Sequence, residues 1–234
     1  MGKLTRTQII SQGITLAGKS TSTAAFVSLV VVSWNALLRS AYKGWLWPYL
    51  NEQVSGISLA AAATSKTIGG GQGGITDDID DIFDPLYIYD SAYQQLGKAR
   101  IRQIRGGPAY REPAAINPAT NTGIPQEFKA RQGSGATDGQ WVLTPYPFPD
   151  RNLLLAIDYK RLPADTTSDS DVPDYTNDRT LIYMAKVATL EHMKAEEYAG
   201  ELEVLATLVA QDFAKDAART GMNDNLGMDP NFFK

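Results

Sequence analysis

The sequence predicts an α+β fold: a helical bundle from both chain ends with an inserted, irregular, antiparallel β region. Apolar residues recur with a helical period near both ends, whereas the middle carries short apolar runs between Gly-rich and Pro-rich stretches. At 234 residues and 43% apolar, the chain fits one domain with an insertion better than two independent domains. We place the bundle in residues 1–50 and 175–221, the insertion in 51–174, and a flexible tail in 222–234.

The first predicted element is a short amphipathic helix. Thr5 or Thr7 provides its N-cap, and Gly18 ends it. Its apolar positions, spaced to share one face, are Ile10, Ile14 and Ala17.

A second, strongly apolar helix is predicted from the cap candidates at 20–23 to about Trp47, where Pro48 ends it. Its apolar run, residues 24–38, leaves almost no polar face, so it needs cover on several sides, which an oligomer supplies. The run is shorter than the about 20 residues of a membrane span and contains polar side chains, so we expect no membrane association. The predicted subunit-interface residues are Phe26, Val30, Trp34 and Leu37.

The middle of the chain predicts short strands at 86–89, 99–105, 140–144 and 152–159, joined by loops. Their lengths favour antiparallel pairing. One of the loops is acidic, and its carboxylates are Asp77, Asp78, Asp80 and Asp81.

The last predicted element is a long helical segment from Asp178 to Arg219. Asn177 is its N-cap, Gly221 its C-cap, and a break is expected at Gly200. A continuous helix of this length would extend roughly 60 Å, more than a compact domain accommodates.

The composition argues against an enzyme. The chain has no cysteine and one histidine, His192, which removes thiolate nucleophiles and multi-histidine zinc sites. A serine triad would depend on His192 alone. We expect a structural protein with no catalytic residues, no cofactor and no metal site.

Charge is segregated along the chain. Residues 1–50 carry five basic and no acidic side chains, whereas residues 162–234 carry six basic and fourteen acidic ones. Such blocks suit contacts between copies, although they also fit solvated faces. The basic segment 98–105 has two interpretations: a charged edge that faces acidic segments of another copy, or the phosphate contact of a nucleic-acid-binding accessory protein.

Three stretches, taken in order, resemble the head-to-tail adaptor (connector) proteins of tailed phages, a group that includes tail tubular protein A. The N-terminal part of the resemblance is in residues 4–10 and 41–48, LTRTQII and AYKGWLWP. The second part is in residues 143–150 and 155–165, and the third runs from residue 170 to residue 185. Residues 55–135 carry little of the resemblance.

The resemblance implies a virion protein of the head–tail interface, made in the host cytoplasm. It would form a homo-oligomeric ring, a dodecamer, beneath the portal protein, and present a platform to tail or nozzle proteins. DNA would pass through its channel without specific binding. In this arrangement we expect Pro230, Phe232 and Phe233 to dock on the portal, and the acidic loop to face the channel or the tail.

Overall fold

The computed structural model describes residues 3–19, 22–44, 47–104, 121–133 and 139–220. Its internal contacts divide the chain into two compact units. The helical unit is Met1–Pro48 with Pro163–Lys234, and the sheet unit is Tyr49–Leu162. The helical unit is therefore assembled from both chain ends.

The helical unit begins with α1 (Arg6–Leu16) and α2 (Ala24–Gly44). Thr5 precedes α1, and its backbone N–H donates to Oε1 of Gln8 at 3.0 Å, which satisfies a donor at the helix start. At the start of α2, the N–H of Phe26 donates to the hydroxyl of Thr23 at 3.3 Å. A short 3-10 helix, Pro48–Leu50, follows.

The C-terminal helical segment is two helices, α3 (Asp178–Met193) and α4 (Tyr198–Thr220). Asn177 caps α3 as predicted, since its Oδ1 accepts from the N–H of Arg179 at 3.1 Å. The predicted break at Gly200 is wrong, because the chain leaves the helix at Lys194, which adopts a left-handed conformation with φ 53°. Gly200 lies inside α4.

Both α1 and α2 pack on α3. The indole Nε1 of Trp34, in α2, donates to the carbonyl of Leu181, in α3, at 3.1 Å. Trp47, which follows α2, packs edge-on against two aromatic rings from the C-terminal part of the chain. Its ring centroid lies 5.3 Å from that of Tyr175 and 5.6 Å from that of Phe213. This arrangement forms the core of the helical unit.

The described residues of the sheet unit form nine strands. They are β1 (Asn51–Leu59), β2 (Lys66–Ile68), β3 (Asp78–Tyr89), β4 (Gln95–Ile104), β5 (Thr122–Gly123), β6 (Glu127–Gln132), β7 (Trp141–Tyr146), β8 (Phe148–Pro149) and β9 (Leu153–Leu162). Seven of them form one sheet in the order β1-β9-β3-β4-β6-β7-β2, and β5 pairs with β8 separately. In the large sheet β4 and β6 are parallel, and the other neighbours are antiparallel.

The predicted fold class is wrong. Helix accounts for about 38% and strand for about 32% of the structure, and the strands form a nearly barrel-shaped mixed sheet rather than a small, irregular, antiparallel insertion in a helical bundle. The interior of the sheet unit is a cluster of buried side chains that includes Phe128, Trp141 and Leu155. The sheet unit therefore has a hydrophobic core of its own.

The missed strands are those whose apolar pattern is interrupted. β1 carries Gly56, with φ 80°, inside a register shift between Val54 and Ile57, so its alternation is broken by one bulge. Of β3 only the end was predicted, at 86–89. The strand begins with aspartates, which disfavour strands, and here the side chains of Asp80 and Asp81 have partners inside the unit. The parallel β4–β6 pair requires a crossover connection, which turn signals in the sequence do not show.

Candidate assembly interface

An uncovered apolar surface runs along α2. We call it the outer stripe, and its residues are Ala25, Leu29, Val32 and Ala36, all exposed. Their spacing places them on one side of the helix. Leu29 is 53% and Val32 68% exposed. Because residues 24–38 include no charged side chain, this surface presents only apolar and small polar groups to its surroundings.

Contacts made by residues outside the outer stripe hold α2 in the helical unit. Besides the Trp34 bond to α3, the side-chain amide of Asn35 donates to the carbonyl of Thr166 at 3.2 Å, and Arg39 pairs with Asp165 at 3.2 Å. In the middle of the helix, the hydroxyl of Ser33 lies 2.9 Å from Nε2 of His192. Polar contacts along its length therefore fix which side of α2 faces outward.

These contacts correct the predicted subunit interface. Val30 and Trp34 are fully buried within their own subunit, so they cannot face a neighbouring copy. Phe26 and Leu37 are half-buried, and the ring of Phe26 packs edge-on against His192 at 6.4 Å. Sequence reasoning missed Leu29 and Val32, although the spacing of Trp34 and Leu38 in the core indicated which side is inner.

By length and composition α2 could cross a membrane, and 22% of its apolar window is buried. A core helix of a soluble protein and a signal sequence satisfy the same test. Insertion into lipid would break the bonds of Trp34, Asn35 and Arg39 to the rest of the helical unit, at a cost for each buried polar group. The geometry thus favours cover by protein.

A second open surface is the groove between α1 and α3, with a volume of about 680 Å³. Its lining is Ser11, Gln12, Thr15 and Leu16 from α1, and Arg179, Ile182, Tyr183 and Lys186 from α3. Leu16 is 59% exposed at its edge. The groove thus combines apolar side chains with cations.

One wall of the groove is a hydrogen-bonded cluster that ties α3 to α4. The hydroxyl of Tyr183 donates to Glu201, and Lys186 pairs with the same carboxylate at 2.8 Å. Burial, with the bond to Glu201, raises the pKa of Tyr183 to about 12. The hydrogen bonds from Lys186 and Tyr183 lower the pKa of Glu201. The wall is therefore a charged but internally satisfied surface.

The acidic residues do not form a loop as predicted. Asp78, Asp80 and Asp81 lie in β3, half-buried, and Asp77 immediately precedes this strand. Two of their side chains have partners in the sheet unit: Asp80 pairs with Lys160 at 2.6 Å, and Asp81 accepts from Gln103 at 2.6 Å. These two carboxylates bind side chains of the sheet unit, so they are not the unpaired acidic groups that we expected to face the channel or the tail.

The remaining predicted site residues lie in different parts of the chain. The basic segment falls mainly in β4, and its last member, Arg105, is outside the described residues. The predicted docking residues Pro230, Phe232 and Phe233 also lie outside the described residues. Their roles stay predictions.

Comparison with known proteins adds no relative. No protein-family model matches the chain, and no curated protein matches it. The function is therefore argued from the chain's own residues and geometry.

Proposed function

We propose that this chain is a structural head-to-tail adaptor of a tailed phage, which forms a ring under the portal, extends the DNA channel and provides the platform for tail attachment. The outer stripe of α2 carries the proposal. An uncharged, exposed apolar surface, on a helix fixed in place by polar contacts of its other residues, needs a protein partner to cover it.

Ring formation also needs a second, different surface on the same chain. Copies that meet head to tail present two unlike patches to one another, and the rotation between them closes the ring. The outer stripe and the α1–α3 groove are two such patches, on different helices of the helical unit. Leu16 and Ile182 provide apolar contacts for a stripe that docks in the groove of the next copy.

The experiment changes each patch separately. Val32→Asp alters the outer stripe, Leu16→Asp alters the groove edge, and Val204→Asp, at a 46% exposed valine of α4, is the matched control. Burial of a valine contributes about 1.5–3 kcal/mol, and an aspartate in its place would also bury an unpaired charge. All three sites are exposed, so the subunit should fold in each case.

The purified chain, mixed with the portal protein of its own phage, is examined by electron microscopy and mass photometry. Wild type and Val204→Asp should form a ring at the portal, whereas Val32→Asp and Leu16→Asp should not. An equimolar mixture of these two variants should stop at a dimer, because only one intact stripe can meet one intact groove.

Two results would contradict the proposed function. One is a ring that forms as well with Val32→Asp as with wild type. The other is flotation of the wild-type chain with lipid vesicles in place of portal binding, which would assign the outer stripe to a membrane.

A further inference from the structure

The structure brings together a basic surface that the sequence shows only in part. β4 and β6 are parallel neighbours, and their register places Arg102 beside Lys129 and Arg100 beside Glu127. Ala99, Phe128 and Ala130 point into the core, so the alternate residues of both strands face the other way. This basic face consists of Lys98, Arg100, Arg102, Lys129 and Arg131.

Most cations of the basic face are exposed to solvent and could bind an external anion. Within the described part of the chain, Lys98, Arg100, Arg102 and Arg131 form no ion pair, and all four are exposed. Some other cations of the sheet unit do have ion-pair partners, as Lys160 has Asp80 and Arg161 has Glu52. Like charges on neighbouring strand positions destabilise a sheet, so this concentration of cations calls for an anionic partner.

The composition of the face indicates the class of partner. Protein–protein interfaces have an apolar centre from which charged residues, lysine above all, are depleted. The basic face has five cations and two neighbouring carboxylates, Glu127 and Asp84, whose Oδ1 accepts from the N–H of Ile101 at 2.7 Å. Exposed Tyr146 lies next to Glu127 in the register with β7. Arg, Lys and Tyr side chains are those that contact nucleic-acid phosphates, and such interfaces are polar and strongly positive.

We propose that the basic face binds the phosphate backbone of duplex DNA without sequence preference. Its outward side chains repeat about every 6.6 Å along each strand, and the strands lie about 4.8 Å apart, which gives an array of cations for a regularly charged polyanion. Among the described residues, the face bears no helix that would enter the major groove, so base edges are not read there. In the proposed adaptor, this surface would hold DNA loosely as it passes.

The test measures DNA affinity of the full-length chain by fluorescence anisotropy with a labelled 30-base-pair duplex over a salt series. Arg100→Gln with Arg102→Gln removes two cations from the basic face. The matched control, Lys3→Gln with Lys215→Gln, removes two exposed cations of the helical unit that lie outside the outer stripe and the groove, so net charge changes equally. Unlabelled duplexes of unrelated sequence and poly-glutamate serve as competitors.

We expect wild type to bind with a dissociation constant on the order of 10 µM at low salt, and affinity to fall with rising salt. The basic-face variant should bind at least tenfold more weakly, with a salt slope smaller by about 2, since each phosphate contact contributes about 0.9. The control should bind as wild type does. Unrelated duplexes should compete equally.

Three results would overturn the inference: no DNA binding by wild type at low salt, an equal loss in the control variant, or competition by poly-glutamate as strong as by DNA. The last would assign the face to an acidic protein surface. The outcome is independent of the ring, since Val32→Asp should bind DNA normally, and the basic-face variant should still form a ring at the portal.

Discussion

Gly13 of α1 lies against Ala185 of α3 so closely that a Cβ on Gly13 would be 2.4 Å from the Ala185 Cβ and 2.7 Å from its carbonyl carbon. The absence of a side chain at Gly13 therefore lets the backbones of α1 and α3 approach closely at this point.

Gly13→Ala should therefore destabilise the helical unit. Alanine is favoured over glycine in helices by about 1 kcal/mol, but here the backbones must move apart, at a cost of about 1–3 kcal/mol. Urea denaturation measures the balance. Gly200→Ala is the matched control, because a Cβ there meets nothing within 4 Å, and it should raise stability by up to about 1 kcal/mol. Equal gains from both substitutions would contradict the close approach.

The buried ion pair in the sheet unit predicts that substitutions of its two residues have strongly coupled effects on the free energy of unfolding. Lys160 and Asp80 lie 2.6 Å apart, with side chains 2% and 15% exposed. Asp80→Ala should cost about 3–5 kcal/mol, because it leaves a buried ammonium without this carboxylate. Replacing both, Asp80→Ala with Lys160→Met, should recover part of the loss. A double-mutant cycle by denaturation gives the coupling, and additive effects of the two substitutions would argue against it.

A second contact between α4 and α3, besides the one through Glu201, centres on the buried carboxylate of Asp212. Asp212 accepts from the side-chain amide of Asn177 at 2.7 Å and from the hydroxyl of Thr180 at 2.5 Å. Asp212→Ala should cost about 3 kcal/mol, since these two donors and the hydroxyl of Tyr175, at 3.4 Å, lose a charged acceptor. Hydrogen exchange should then speed up along α4 before the sheet unit. Glu203→Ala, exposed on the same helix, should change little. Unchanged exchange in α4 would refute this attachment.

Two tyrosines predict a loss of stability at high pH. Burial, followed by the bond to Glu201, raises the pKa of Tyr183 to about 12, and burial with the bond to Glu52 does the same for Tyr159. An unfolded tyrosine titrates near 10. The folded state therefore keeps protons that the unfolded state releases, so this stabilisation is complete below about pH 10 and is lost between about 10 and 12.

Absorbance at 295 nm measures this titration. Folded wild type should show a late phase near pH 12, and Tyr183→Phe and Tyr159→Phe should each remove part of it. Protein unfolded in urea is the control, and its tyrosines should titrate together near pH 10. A late phase that persists in the double variant would assign it to other groups.

Local sequence signals predicted the helices well. Thr5 and Asn177 are caps in the structure, since capping depends on a few adjacent residues. The break between α3 and α4 was predicted at the wrong residue. Glycine is the usual residue in the left-handed conformation that ends a helix, so Gly200 was chosen, but in the structure Lys194 adopts that conformation. Among the strands, the apolar runs of β4, β7 and β9 were found, whereas β1 and β6 were not.

The candidate surfaces were predicted less well than the elements. The apolar run of α2 is visible in the sequence, yet which residues face outward follows from the bonds of Trp34 and Asn35 to distant partners. The basic segment in β4 is visible too, but Lys129 and Arg131 join it only through the parallel pairing with β6.

The sequence by itself determined that helices lie in the first and last parts of the described chain, that α2 is apolar almost all round, and that the sequence has no cysteine and a single histidine. These are properties of composition and of short-range periodicity. Only the tertiary structure decided that the middle of the chain forms a seven-stranded mixed sheet. It also decided that the β3 aspartates Asp80 and Asp81 bind Lys160 and Gln103, and that Val32 rather than Trp34 faces outward. The reason is physical: strand pairing and burial join residues far apart in the chain, and their free energies depend on partners that no local window contains.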